Sequence, residues 1–236
     1  MKSIEEDESM RLDKQRIVVT GAFGTLGAAV VRAALDAGAE VAAIDRAPVP
    51  ANLGAAHGFG GVDMADTAAA KHAIDAAAEA LGGLDALVNI AGAFRWETLA
   101  DGDPETWDLL YRINLRTAVA ASKAALAHLP DGRGRIVNIG ANSALKAGAG
   151  VGAYTASKAG VMRFTESLAE ELKPRGITVN ALLPSVIDTP PNRADMPDAD
   201  FDRWVKPEQL AGVIVFLLSG ASSAITGALI PVIGRV

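Results

Sequence analysis

The sequence lacks cysteine entirely and contains only three histidines. Without cysteine the chain has no disulfide, no thiolate nucleophile and no sulfur metal ligand, which is typical of a reducing compartment. His57, His72 and His128 do not have the spacing of a metal-binding motif, so we expect surface or packing roles for them. We therefore predict no metal site.

Excess positive charge and long apolar runs are also absent. The formal net charge is −6, which disfavours a nucleic-acid-binding surface. No window of about 18 uninterrupted apolar residues occurs, so we expect no membrane span. The segment 1–8 is acidic where a signal peptide would be basic, and we therefore expect a cytoplasmic protein.

A glycine-rich turn follows the first apolar run, Ile17-Val18-Val19, and leads directly into a helical pattern. Glycines allow the backbone to approach a pyrophosphate closely, and a helix N-terminus offers free N–H groups and a partial positive charge. The order strand, glycine turn, helix therefore predicts a dinucleotide site. The expected contacts are Gly21, Phe23, Gly24, Thr25, Leu26 and Gly27.

A second strand pattern at 40–44 ends in Asp45, which lies 24 residues after Gly21. A carboxylate at this place accepts hydrogen bonds from the adenosine ribose hydroxyls and repels a 2′-phosphate. The position therefore favours NAD(H), with NADP(H) as the alternative cofactor. Arg46 is expected beside the adenine, where it either stacks on the ring or neutralises a phosphate.

Strand and helix patterns alternate without a break along the chain, and half of its residues (50%) are apolar. We predict a single α/β domain over 15–236, a Rossmann-type doubly wound fold with a parallel seven-stranded sheet flanked by helices, preceded by a polar tail at 1–14. The strands are expected near 16–20, 40–45, 59–63, 84–90, 134–140, 176–183 and 228–233, and the helices near 25–37, 66–81, 104–128, 153–173 and 207–218. Asp66 is expected to cap a helix, and Gly38 and Gly82 to end helices.

Tyr154 and Lys158 are four residues apart in a helical pattern, which places both side chains on one face. A nearby ammonium favours the phenolate, so the pair has the chemistry of a proton donor with a lowered pKa. The spacing alone is common on ordinary helices. Ser157 lies between the two in sequence but on another face, which argues against a serine nucleophile.

Two further segments complete the pattern: the apolar strand 87–90, which ends in Ala91-Gly92, and Asn114 in a helical segment. With the glycine turn and the pair Tyr154 and Lys158, they resemble the short-chain dehydrogenase/reductase family over nearly the whole length. The resemblance implies an NAD(P)-dependent oxidoreductase acting on a small-molecule substrate.

The resemblance also implies a role for individual residues. Tyr154 corresponds to the acid/base, Lys158 to the ribose-binding residue that lowers the tyrosine pKa, and Asn114 to the holder of a proton-relay water. Asp63 corresponds to an adenine contact and Asn89 to a residue that steadies the central strands. The expected cofactor contacts are completed by Asn89, Ala91, Gly92, Pro184, Ile187 and Thr189, together with Tyr154 and Lys158 themselves.

The sequence departs from the family pattern most clearly at Ala141, where the family has a substrate-orienting serine. Asn142 and Ser143 are the alternative donors. The missing serine, the glycine spacing and the segment 188–204 resemble the dihydropteridine reductase branch, which uses NADH and has the tyrosine and lysine without the serine. Hydride delivery to a conjugated C=N system does not need a hydroxyl that holds a carbonyl oxygen.

The proline-rich, charged segment 190–205 is predicted to be a substrate lid. Phe94, Trp96 and Trp204 are either core residues or walls for a flat ring. We predict an NADH-using reductase of a C=N or C=O group. The alternatives are a general NAD-dependent alcohol or ketone dehydrogenase that uses Ser143 or Asn142, and an inactive dinucleotide-binding or assembly protein.

Small residues on two long predicted helices favour assembly into a homodimer or homotetramer. These residues are Ala118, Ala120, Ala121, Ala124, Ala125, Ala156, Ala159 and Gly160.

Overall fold

The computed structural model describes residues 10–54 and 56–236, and these residues form seven strands and seven α-helices. The strands are β1 (Arg16–Thr20), β2 (Glu40–Ile44), β3 (His57–Phe59), β4 (Ala86–Asn89), β5 (Arg135–Ile139), β6 (Thr178–Pro184) and β7 (Leu229–Val232). The helices are α1 (Thr25–Asp36), α2 (Thr67–Leu81), α3 (Pro104–Leu110), α4 (Thr117–Ala125), α5 (Gly152–Leu172), α6 (Pro190–Asp195) and α7 (Pro207–Leu218). A π-helix, Tyr111–Arg116, connects α3 to α4.

The strands form one parallel sheet in the order β3-β2-β1-β4-β5-β6-β7. The chain starts in the middle of the sheet, builds outward to β3, and then returns to place β4 on the other side of β1. This reversal leaves a crevice beyond the carboxyl ends of β1 and β4, which is where doubly wound sheets bind their ligands. The predicted fold and strand number are confirmed.

Helices cover both faces of the sheet, and each face has its own apolar core. Val19 on β1 packs with Val30 of α1 on one face, where α7 also lies. Val18 points the other way and packs with Ile74 of α2 and Leu168 of α5. Because every central strand is buried on both faces, the strands read in the sequence as continuous apolar runs.

The helix boundaries follow from local hydrogen bonding. Asp66 caps α2, because its carboxylate accepts from the backbone N of Ala68 at 2.8 Å and of Ala69 at 2.9 Å. Gly82 ends α2 with φ 69°, and Gly38 follows α1 with φ 93°, conformations that cost glycine little. The predicted cap and both predicted helix ends are confirmed.

Two predicted elements differ from the structure. β3 occupies His57–Phe59 instead of 59–63, because Gly61 adopts φ 75° and ends the extended backbone. The helix predicted over 104–128 is interrupted by the π-helix and ends at Ala125.

The polar tail predicted at 1–14 lies partly outside the described residues, which begin at Met10. Within the described part, Leu12 is fully buried and joins the core beneath α1. Its backbone N donates to Ala37 O at 2.9 Å. Leu12 therefore packs on the domain although it lies in the predicted tail, and the domain boundary at residue 15 stays a prediction.

The small residues of α4 are used within the chain itself. Ala118, Ala120, Ala121 and Ala125 are buried, and a Cβ added at Gly160 of α5 would lie 2.5 Å from Leu115. The buried alanines of α4 therefore no longer argue for a subunit interface, whereas Ala156 of α5 is exposed, and the homo-oligomer stays a prediction. Within the described part of the chain, no helix combines the length and the apolar character needed to cross a bilayer.

Candidate active site

A pocket of about 520 Å³ lies at the carboxyl ends of β1, β2 and β4. It brings together twelve of the residues predicted to bind a cofactor: Gly21, Phe23, Gly24, Thr25, Leu26, Gly27, Asp45, Arg46, Asp63, Ala91, Gly92 and Thr189. Sequence reasoning missed seven others: Ala47, Val62, Met64, Ile90, Ala93, Ile113 and Thr117. Five of them, Ala47, Val62, Met64, Ile90 and Ala93, directly neighbour a predicted cofactor contact in the sequence. That adjacency is the signal that could have found them. Ile113 and Thr117 lie one helical turn apart, so both face the pocket.

The glycine turn is shaped by two close backbone approaches. Gly21 adopts φ 66°, and a Cβ there would come within 2.6 Å of Ala91 N. A Cβ at Gly27 would lie 2.1 Å from Gly21 O, which is too close. A Cβ at Gly24 would lie 3.6 Å from the same oxygen, which is an ordinary van der Waals distance. The turn therefore requires glycine at 21 and 27 but tolerates a side chain at 24.

The start of α1 differs from the start of α2 in a way that fits a dinucleotide. Gly24, the N-cap of α1, offers no side-chain hydrogen bond to the first turn, whereas Asp66 caps α2. The first N–H groups of α1 therefore face the pocket without a capping carboxylate, as a pyrophosphate would require.

Two carboxylates line the far part of the pocket. Asp45 accepts hydrogen bonds from Phe23 N at 2.9 Å and Ala47 N at 3.0 Å, one on each oxygen. Asp63 accepts from Ala65 N at 2.9 Å and pairs with Arg112 at 2.7 Å. Among the described residues Asp45 forms no ion pair, so its negative charge is held at the pocket by backbone groups alone.

Lys158 is a buried cation. Its side chain is 5% exposed, and Nζ donates to Ile139 O, at the end of β5, at 2.8 Å. Because burial disfavours the ammonium, the pKa of Lys158 falls to about 8. The lysine therefore still carries its charge at neutral pH.

Tyr154 lies one turn before Lys158 on α5 and is half-buried. The Phe94 ring meets it edge-on, with centroids 4.9 Å apart and planes at 77°. Burial raises the pKa of Tyr154 to about 12. The sequence predicts a lowered pKa through Lys158. In this structure burial of the phenolate sets the direction of the shift instead, so Tyr154 is a neutral phenol at neutral pH.

Asn114 lies in the π-helix and is 2% exposed. Its Oδ1 accepts from Ala93 N at 2.7 Å, and its Nδ2 donates to Ala93 O at 3.0 Å and to Ser157 Oγ at 2.9 Å. Both amide hydrogens are therefore used within the protein. The side chain connects the loop after β4 to α5, and the role of Asn114 as the holder of a proton-relay water stays a prediction.

Ser157 donates its hydroxyl hydrogen to Tyr154 O at 2.7 Å. It is buried and accepts from Asn114. A hydroxyl held in this way has no base beside it, in agreement with the prediction that Ser157 is not a nucleophile.

Five residues that the resemblance makes cofactor contacts are not among those that line the pocket: Asn89, Tyr154, Lys158, Pro184 and Ile187. Asn89 is buried and its Nδ2 donates to Asn138 Oδ1 of β5 at 2.8 Å and to Ser122 Oγ of α4 at 3.1 Å. It connects two strands and a helix, as expected for a residue that steadies the sheet.

Ala141 is buried and extended at the end of β5, and a 3₁₀ turn, Asn142–Ala144, follows it. Ser143 is exposed and Asn142 is half-buried. Neither side chain forms a hydrogen bond with another described residue. Both side chains are therefore without a partner among the described residues, and position 141 carries no hydroxyl.

The three aromatic residues predicted to wall a substrate have different environments. Phe94 contacts Tyr154, and Trp96 is 63% exposed with its ring lying over Gly150. Trp204 is only 6% exposed and packs on Phe201 at 4.8 Å between centroids. Trp204 is therefore a packing residue, because the apolar contact with Phe201 buries it.

The predicted lid, 190–205, is folded through its own contacts. Arg193 of α6 pairs with Asp188 at 2.6 Å and lies 4.7 Å from the centre of the Phe201 ring. A backbone bridge between Ile187 and Val205 closes the segment at its base. Its motion as a lid stays a prediction.

No group of three or more His, Asp or Glu side chains that could hold a metal ion occurs in residues 10–54 and 56–236.

Comparison with known proteins agrees with this geometry. The model of the short chain dehydrogenase family matches residues 15–200. The 2-(S)-hydroxypropyl-CoM dehydrogenase 3 of Xanthobacter autotrophicus is 32% identical, over 96% of this chain and 98% of its own. The D-threitol dehydrogenase of Mycolicibacterium smegmatis is 34% identical, over 96% and 94% of the two chains.

A solved structure supports the same family assignment. A short chain dehydrogenase from Burkholderia cenocepacia J2315, in complex with NADP, superposes with a TM-score of 0.86 at 35% identity and covers 95% of this chain and 98% of its own. The chain thus belongs to the short-chain dehydrogenase/reductase family and is an NAD(P)-dependent oxidoreductase.

Proposed function

We propose that this enzyme reduces a C=N or C=O group with NADH and that Tyr154 donates the proton. The observation that carries the proposal is the pair on α5: a neutral, half-buried phenol one helical turn from a buried ammonium. Such a pair has little structural purpose, because burying a lysine at 5% exposure without a carboxylate partner is costly. It also argues against the inactive binding or assembly protein.

The residues divide the chemistry between them. Bound NADH supplies the hydride. Tyr154 is protonated at neutral pH and gives its proton to the nitrogen or oxygen of the substrate as that atom gains electron density. Lys158 keeps its charge below about pH 8 and stabilises the phenolate that Tyr154 becomes. Phe94 packs on the edge of the phenol and limits its movement.

We propose NAD(H) as the preferred cofactor because of Asp45. Both of its oxygens are held by backbone N–H groups, so the charge is fixed at the ribose end of the pocket. A 2′-phosphate would meet this charge without a cationic partner of Asp45 to offset it. Arg46 lines the same part of the pocket and is the residue that would accommodate NADP(H), the cofactor of the Burkholderia relative.

The substrate proposal rests on Ala141. Without a hydroxyl at this position, a conjugated imine such as a quinonoid dihydropterin is the better match, since it has no carbonyl oxygen to be held. The relatives do not support this narrower assignment. Two of them are named for hydroxypropyl-CoM and threitol, which favours the second candidate, an alcohol or ketone dehydrogenase in which the free Ser143 or Asn142 binds the oxygen.

Replacement of Tyr154 by Phe tests the proposed acid. The variant keeps the ring and its contact with Phe94 but removes the proton, so kcat should fall by about 10²–10⁴ while the affinity for NADH stays unchanged. The assay follows NADH absorbance with quinonoid dihydropterin and with a panel of ketones. Tyr111→Phe is the matched control, because Tyr111 is an exposed tyrosine of the π-helix that does not line the pocket. Undiminished turnover in Tyr154→Phe would contradict the mechanism.

A further inference from the structure

We propose that Ser157 is a positioning residue that fixes the phenol of Tyr154 through a closed series of contacts with Asn114, Ala93 and Phe94. The inference depends on the proposed role of Tyr154 as the acid. The geometric part of it can be tested without a substrate.

The contacts start and end on Tyr154. Its carbonyl oxygen accepts from Ser157 Oγ at 2.7 Å, and Ser157 Oγ accepts from Asn114 Nδ2 at 2.9 Å. Asn114 then binds both backbone groups of Ala93, at 2.7 and 3.0 Å. The next residue, Phe94, returns to the Tyr154 ring at 4.9 Å. The backbone and the ring of Tyr154 are thus held by opposite ends of one series.

The Asn114 side chain has no spare hydrogen-bond donor in this series of contacts. Its Nδ2 has two hydrogens, and both are used, on Ala93 O and on Ser157 Oγ. Ser157 has one hydroxyl hydrogen, and Tyr154 O takes it. Since Asn114 and Ser157 are buried, removing the hydroxyl would leave an amide hydrogen without a partner away from water. The amide would then reorient and release Ala93.

The loop held by Asn114 also lies close to Lys158. A Cβ added at Gly92 would come within 2.8 Å of Asn114 Oδ1 and 3.3 Å of Lys158 Nζ. A change in the Asn114 amide is therefore transmitted to Gly92, Ala93 and Phe94, which lie between the cofactor pocket and Tyr154.

Another hydroxyl of the same helix makes only local bonds. Thr155 Oγ1 donates to the carbonyl oxygens of Val151 and Gly152, one turn earlier. Ser157 is different because it joins the π-helix and, through it, the loop after β4 to α5.

Fluorine NMR reads the position of the phenol directly. The chain has two tyrosines, so 3-fluorotyrosine labelling of a Tyr111→Phe parent leaves a single signal, from Tyr154. The neighbouring Phe94 ring changes the chemical shift of that signal. The Phe94→Leu variant gives the reference chemical shift in the absence of the ring. We expect Ser157→Ala to move the resonance towards the Phe94→Leu position, and Ser157→Thr, which keeps a hydroxyl, to leave it near the parent.

The control is Ser167→Ala, a serine of α5 whose hydroxyl bonds only to the exposed Glu171 and which should leave the resonance in place. If Ser157→Ala does not fold, Ser157→Cys keeps the size of the side chain with a weaker hydrogen bond and is judged in the same way. A resonance at the parent position in a folded Ser157 variant, with Phe94→Leu shifted, would overturn the inference.

Kinetic measurements distinguish a role of Ser157 in positioning Tyr154 from a role in the stability of the fold. In the assay with quinonoid dihydropterin or the best ketone, Ser157→Ala should lower kcat about tenfold and leave the KM for NADH within about twofold. Ser157→Ala and Phe94→Leu should be clearly non-additive in kcat, although the two side chains are not in direct contact. Additive effects would contradict the series of contacts. A fully active Tyr154→Phe would instead refute the proposed acid and leave the NMR result to stand alone.

Discussion

The two halves of the proposed active site differ in whether backbone groups or side chains form them. The cofactor half consists largely of backbone: the turn from Gly21 to Gly27, the strand end at Ala91 and carboxylates held by N–H groups. The proposed substrate half consists of exposed side chains, with Phe94 at 55% and Trp96 at 63% exposure and Ser143 without a partner among the described residues. Folding therefore completes the first half, whereas a substrate must complete the second. This division explains why the family is evident and the substrate is not.

The largest effect on cofactor binding should come from a single methyl group in the cofactor half. In Gly27→Ala the new Cβ would lie 2.1 Å from Gly21 O, so the start of α1 must move away from the turn. We expect about 1–3 kcal/mol of destabilisation and at least about a hundredfold weaker NADH binding, or about 2.7 kcal/mol. Titration with NADH and thermal unfolding measure the two effects.

Gly24→Ala is the matched control, since its Cβ would meet the same oxygen at 3.6 Å. It should bind NADH nearly as well as the parent. Equal losses in the two variants would show that the turn is not selective for glycine at 27.

The buried lysine joins the two halves and should appear in the pH dependence of stability. The folded pKa of Lys158 is about 8, below its ordinary 10.5. Below pH 8 both folded and unfolded chains carry the proton, and the folded protein bears the cost of burying the charge. Between about pH 8 and 10.5 the folded state loses the proton first, and that cost disappears.

The free energy of unfolding of the cofactor-free protein should therefore rise relative to Lys158→Met between pH 7 and pH 10, by on the order of 2–3 kcal/mol. Urea unfolding at the two pH values measures this difference, and groups shared by both proteins cancel. A difference that does not change with pH would mean that Lys158 keeps an ordinary pKa.

Charge in the cofactor half should set the choice of nucleotide. Asp45→Ser removes the carboxylate, so the ratio of kcat/KM for NADH over NADPH should fall by about tenfold, or about 1.4 kcal/mol. Asp66→Ser removes a carboxylate that caps α2 and does not line the pocket, so the ratio should stay the same. A parent enzyme that uses NADPH as well as NADH would refute the proposed preference.

Under the imine proposal, the smallest effect is expected at Ser143. If the substrate is a conjugated imine, Ser143→Ala should leave kcat/KM within about threefold of the parent, because no oxyanion is held there. If Ser143 holds a ketone oxygen, the loss should reach about 10²–10³. Measurement on both substrate classes decides between the two candidates.

The sequence predicts those features that depend on short-range backbone chemistry. The glycine turn, the cap at Asp66 and the continuous apolar strands each follow from a few adjacent residues, and the structure has them where expected. Twelve of the pocket residues follow from the same patterns, because they lie beyond strand ends that a parallel sheet brings to one edge, whereas seven others were missed.

The features that sequence reasoning missed depend on contacts between distant residues. The Asn114 amide is satisfied by Ala93 and Ser157, 21 and 43 positions away, and no local pattern encodes that geometry. The sequence leaves open whether Trp204 is a core residue or a wall of the substrate site, and the structure buries it beside Phe201. The raised pKa of Tyr154 reflects burial in the folded chain, which spacing along a helix does not reveal.

The π-helix between α3 and α4 has a consequence for how this chain tolerates length changes. A π-turn carries one residue more than an α-turn, so deleting one residue within Tyr111–Ile113 would restore a regular α-helix. Because the wider π-turn absorbs the extra residue, the helices on either side keep the faces that they bury, including Thr106 and Leu110 on α3. The extra residue lies in the turn that carries Asn114, so its deletion would disturb the bonds of Asn114 to Ala93 and Ser157. We expect insertions and deletions to be rarer in this short segment than in the exposed loops on either side.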